Sequence, residues 1–76
     1  MAALRTGKCL LGQIRQKAGL TQNELSYKLL SEVGVSIAAP TISKYENNRL
    51  EIPIVAMRGL CIVLGCTESD LYEWPL

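Results

Sequence analysis

The sequence predicts an all-α fold of five short helices, and three observations carry that expectation. Apolar residues recur at helical spacing and nowhere alternate with the period of two that marks a half-buried strand. Glycine and proline punctuate the chain as helix stops (Gly19, Gly34, Gly65) and helix starts (Pro40, Pro53). Finally, Thr21 with Glu24 and Thr67 with Asp70 have the Thr-x-x-acid form of a capping box, in which each side chain satisfies a backbone donor at a helix start.

The first helix is expected from about Thr6 to Lys17, with Leu11, Ile14 and Ala18 on one stripe and Gly19 as its stop. The second follows the Thr21–Glu24 box, carries Leu25, Leu29 and Val33, and ends at Gly34. An apolar link, "VSIAA", leads to Pro40, whose fixed φ and missing amide hydrogen suit a first helical turn. The third helix should run from there to near Asn47, with Asn48 able to take a left-handed cap. Pro53 opens the fourth, with Ile54, Met57, Leu60, Cys61 and Leu64 as its core stripe. Thr67 begins a fifth, "TESDLYEW", which Pro75 stops.

Seventy-six residues suffice for one domain, here residues 1–76 with a core from about 10 to 74. At 49% hydrophobic the chain is globular, yet no apolar run approaches the roughly 18 residues of a membrane helix. The opening "MAALRTGKCLL" has no long apolar segment of the secretory kind, so a cytoplasmic, nucleoid-associated location is expected.

Three cysteines (Cys9, Cys61, Cys66) are an odd number without a Cys-x-x-Cys pair, and histidine is absent. Zinc and a disulfide framework are therefore not expected. No paired-carboxylate or nucleophile motif appears either, so the reading is non-enzymatic, with no cofactor and no small-molecule ligand.

The formal charge of +1 hides an asymmetry. Residues 1–50 hold seven cations and three carboxylates, a balance of +4, while residues 51–76 hold one cation and four carboxylates, a balance of −3. One end of the molecule should attract a polyanion.

Two charges sit where apolar residues belong. Arg15 follows Ile14 and lies four residues after Leu11; Glu46 follows Tyr45 and lies four after Ile42. A charge turned toward a core is costly unless paired, and the simplest solution is that these two meet.

"IRQKAGLTQNELSYKL" followed by "TISKYENNR" resembles the Cro/cI-like, or lambda-repressor-like (XRE-type), helix-turn-helix DNA-binding domain, from about Leu10 to Trp74. Its most specific parts are Arg15, the Gly19–Leu25 run, the Thr41–Asn47 run and Leu64–Gly65. The resemblance implies a compact five-helix domain whose second and third helices form the helix-turn-helix, with Arg15 and Glu46 as an ion pair tying the first helix to the third. It places a small residue at Ser26, where the second and third helices approach closely. It also implies a phosphate contact from Gln22, at a helix start whose free amides favour anions, and a third helix lying in the major groove.

The chain departs from the family pattern twice. Gly34 to Ala39 is a six-residue link, longer than the roughly 3–4 residues of a compact turn. In addition, Ala39 and Pro40 stand where relatives often carry long polar base readers, and neither side chain can hydrogen-bond a base edge. Thr41, Ser43 and Lys44 remain for the groove, with Asn47, Asn48 and Arg49 beyond them toward the phosphates. Val55 and Ile62 lie off the core stripe of the fourth helix, and with Tyr72, Trp74 and Leu76 they make a candidate dimer surface.

The resulting expectation is a sequence-specific transcriptional regulator of double-stranded DNA, a homodimeric repressor. The alternative is a protein-interaction or antitoxin-like module on the same fold, with weak DNA affinity. Modest net charge and a small reading vocabulary favour the alternative; the charge asymmetry and the Gln22–Asn47 framework oppose it.

Overall fold

Residues 7–74 are described in the computed structural model of the chain. Among them are four α-helices: α1 (Leu11–Lys17), α2 (Gln22–Val33), α3 (Ala39–Glu46) and α4 (Ile54–Leu64). Instead of a fifth α-helix the chain makes a single 3₁₀ turn, Glu68–Asp70, so the expected count of five is corrected to four.

The second helix is the best specified locally. Thr21 Oγ1 accepts the Glu24 amide at 3.1 Å, and the Glu24 carboxylate accepts the Thr21 amide at 2.8 Å, closing the capping box. Those bonds also hold the exposed Glu24 carboxyl below its usual pKa. At the other end Gly34 takes φ 68°, a left-handed conformation that only glycine adopts without steric cost. The third helix has no side-chain cap and relies on Pro40 in its first turn.

The core is formed by Leu11 from α1, Leu25 and Leu29 from α2, Ile42 and Tyr45 from α3, and Ala56, Leu60 and Cys61 from α4. Ile37, Ile52 and Leu71 from the links close it. Two stripe assignments are corrected. Ala18 is exposed at the end of α1, and Ile54, at the first position of α4, is 82% exposed, with Ala56 taking the inward place.

The fifth helix fails for an identifiable reason. Asp70 engages its carboxylate with the backbone amide (3.0 Å) and hydroxyl (3.0 Å) of Thr67, which completes one turn. The chain then extends to pair with residues 7–10. Leu10 donates its amide to the Leu71 carbonyl at 2.7 Å, Gly7 donates to Glu73 at 2.6 Å, and Glu73 donates to Lys8 at 2.8 Å. Cys9 and Tyr72 face each other across this antiparallel clasp. The same pairing keeps residues 7–10 out of the helix, so α1 starts at Leu11; the expected start at Thr6 lies outside the described residues.

Asn48 extends the clasp from the other side. Held at φ 57°, it accepts the Cys9 amide on Oδ1 at 3.0 Å and donates Nδ2–H to the Gly7 carbonyl at 3.3 Å. Its side-chain amide thus bonds residues 7–9 much as a neighbouring strand would, and the end of α3 is tied to the segment that pairs with residues 71–73.

Candidate nucleic-acid interface

Helix α3 is fixed to α1 and α2 by one polar joint. Arg15 donates Nε–H to Glu46 Oε2 at 2.6 Å and Nη2–H to Oε1 at 3.1 Å, a two-pronged pair that matches the planar guanidinium to the carboxylate. The side chains are only 12% and 10% exposed. The hydrogen bond to Glu46 raises the Arg15 pKa further above its already high value, so the guanidinium stays charged.

The third arm of the guanidinium, Nη1, donates to the Leu20 carbonyl at 2.8 Å and pins the α1–α2 link. Gln22 joins from the start of α2, donating Nε2–H to Glu46 Oε1 at 3.1 Å. Spacing identified the two charges; the Gln22 bond it did not reveal.

Gly12 leaves room for this approach. A Cβ there would lie 3.2 Å from Glu46 Oε1, so the small residue lets the carboxylate settle against α1. The available signal was a glycine inside a helix, which costs about 1 kcal/mol relative to alanine and so points to close packing.

On the other side of the turn, Ser26 Oγ donates to the Ile37 carbonyl at 2.6 Å. The long link between α2 and α3 is anchored by that bond and by burial of Ile37, which positions the start of α3.

With Ile42 and Tyr45 buried, the opposite side of α3 faces out. Pro40 and Lys44 are exposed there, while Ala39, Thr41 and Ser43 are half-buried. Asn47 is exposed, but its Nδ2–H donates back to the Ser43 carbonyl at 2.8 Å. Arg49 is exposed just beyond the helix. Asn48 differs from the sequence expectation, because its amide is engaged with Gly7 and Cys9.

The candidate dimer residues separate. Val55 and Ile62 are 69% and 56% exposed, and they line an apolar groove of about 350 Å³ with Val33, Val35 and Ile54. Trp74 is 48% exposed. Tyr72 is corrected: it is 5% exposed and belongs to the core. Its hydroxyl accepts the Ile52 amide at 3.2 Å and its ring meets Trp74 edge to face at 6.5 Å. Leu76 lies outside the described residues.

Cys9 and Cys61 are buried, Cys66 is half-buried, and all three are free thiols. Burial pushes the Cys61 thiol up to about 12, which suits a packing role over a reactive one. Among the described residues no group of three or more carboxylates and thiols could hold a metal ion. No described helix is long and apolar enough to cross a membrane.

Two helices joined across an anchored link, the second presenting a polar face, tied to α1 by the Arg15–Glu46 pair and to α2 by the Gln22 bond, have the form of a helix-turn-helix. The chain belongs to the Cro/C1-type helix-turn-helix DNA-binding domain family, whose sequence model matches residues 11–76. No curated protein matches the chain.

Proposed function

We propose that this chain is a single-domain, sequence-specific transcriptional regulator, a repressor that binds operator DNA as a homodimer with α3 in the major groove. The observation that carries the reading is the Arg15–Glu46–Gln22 joint. It holds α3 rigidly against α1 and α2 and leaves the Pro40–Lys44 side outward. In this reading Lys44 reaches guanine acceptors, Thr41 and Ala39 offer methyl groups to thymine, and Ser43 and Pro40 shape the fit. Gln22, Asn47 and Arg49 hold phosphates, and Asn48 acts by placing Arg49. Two recognition helices must be linked to read half-sites about 34 Å apart. The apolar groove beside Val55 and Ile62 supplies the candidate contact between copies, and Trp74 offers a further exposed apolar side chain.

The same exposed groove favours the second reading, a protein-interaction module with weak DNA affinity. Titration of labelled duplex across salt concentrations separates the two. A regulator should bind random duplex with an affinity that falls steeply with salt, by about 0.9 in log–log slope per phosphate neutralised. An interaction module with weak DNA affinity should bind duplex only feebly at low salt and with a shallow salt dependence.

Selection from a randomised duplex pool then tests the base reader. Lys44→Ala should relax the preference at one base pair per half-site, by roughly 1–3 kcal/mol. Selection of the wild-type motif by Lys44→Ala would make Lys44 a backbone contact.

A further inference from the structure

We infer that Glu46 is a positioning residue for the phosphate contact of Gln22, in addition to being the partner of Arg15; the inference rests on the DNA-binding reading above. Oε1 of Glu46 receives hydrogens from both Arg15 Nη2 and Gln22 Nε2, each at 3.1 Å. The ion pair fixes the carboxylate, and the carboxylate in turn fixes the glutamine amide at the first position of α2.

One Nε2–H of Gln22 is thereby engaged by Glu46, and among the described residues the other has no protein acceptor. The backbone amides of Gln22 and Asn23 belong to the same first turn of α2. The capping box leaves these two without acceptors, because the Thr21 hydroxyl takes the Glu24 amide alone. A phosphate oxygen at the start of α2 is therefore offered the helix-start amides together with a side-chain donor whose place Glu46 already fixes.

A glutamine side chain has three rotatable bonds, and freezing them on binding costs affinity that prior alignment avoids. The carboxylate's own charge would repel a phosphate, but Arg15 neutralises it at 2.6 Å. The joint that holds the helices together also prepares the ligand contact. Arg15 is needed for both: it supports the fold directly and Gln22 indirectly.

The test is a binding cycle of wild type, Gln22→Ala, Glu46→Asp and the double variant on one duplex at fixed salt. Aspartate keeps a negative charge near Arg15 but withdraws both carboxylate oxygens by one methylene, which breaks the Gln22 bond and loosens the Arg15 pair. Each variant's fold is therefore checked by its urea midpoint, and only the coupling with Gln22→Ala is read. Glu46→Asp should weaken binding by roughly two- to tenfold, the affinity that freezing one free side chain costs. Gln22→Ala should cost correspondingly less on top of Glu46→Asp than it does in wild type. Additive effects would overturn the inference.

A measurement on the unmodified chain guards against an unfolded variant. The side-chain ¹⁵N amide of Gln22 should be rigid on the nanosecond scale in the free protein and stay so on duplex binding. An amide that is mobile when free and orders only on DNA overturns the inference while leaving the DNA reading intact. If the wild type fails to bind duplex at any salt concentration, the DNA reading itself falls, and this role of Glu46 falls with it.

Discussion

At Arg15 and Glu46 the desolvation of two charges is offset by a two-pronged contact and by the bonds to Leu20 and Gln22 that complete the joint. Removing either partner strands the other in a site little more than a tenth exposed. Arg15→Ala and Glu46→Ala should each cost about 3 kcal/mol in urea unfolding, and the double variant less than their sum. Additive losses would show that the two side chains do not stabilise each other. The pair was legible in the sequence because both charges interrupt apolar stripes. The Gln22 contact was not, since a glutamine at a helix start leaves no mark of what it touches. Asn48 was legible in part: its left-handed backbone follows from asparagine chemistry, whereas its bonds to Gly7 and Cys9 join residues about forty positions apart.

Among the elements, α2 is set by its own ends and α3 is set by its neighbours. The first has a closed capping box and a glycine stop; the second has only a proline in its first turn and no side-chain cap. What positions α3 is the anchored link before it and the ion pair near its end. Ser26→Ala leaves the Ile37 carbonyl without its hydroxyl donor and should cost about 1–2 kcal/mol. Amide exchange should accelerate most in residues 35–39, ahead of α2. Uniform acceleration across both helices would show that the link carries no local constraint. The failed fifth helix makes the complementary point. Its capping signal is real, and Thr67 and Asp70 do bond, but the following residues gain more by pairing with residues 7–10 than by continuing a short helix.

For the whole molecule, the core contains groups that resist ionisation. Burial raises the pKa of Cys9, Tyr45 and Tyr72, and lifts Cys61 from 9.0 to about 12. The folded state holds these protons more tightly than the unfolded chain does. Stability contributed by Cys61 is therefore fully present below pH 9 and is lost as the pH climbs through about 12. Urea midpoints should fall steadily on that alkaline side, and the fall should be shallower in Cys61→Ala, measured relative to its own value at neutral pH. An unchanged slope would show that the thiol ionises equally in both states.

Assembly is the second whole-molecule matter. Ile62→Glu places a charge in the apolar groove and should shift the protein toward monomer in sedimentation while weakening operator binding. A wild type that stays monomeric at high concentration, both free and on DNA, would sink the homodimer.

Sequence by itself determined the helical class, the limits of α2, the start of α3 near Pro40, the approach of Arg15 to Glu46 and the family. Each of these is encoded over a few residues, or in charges too costly to leave alone. Tertiary structure decided which residues on α4 face inward, so that Ile54 turned out and Ala56 in. It also decided that Tyr72 is core, that Asn48 braces the terminal clasp, and that Gln22 leans on Glu46. Those outcomes depend on which distant segment competes for the same backbone donors and the same buried volume. Local spacing is blind to that competition, because the competitors meet only when the chain has folded.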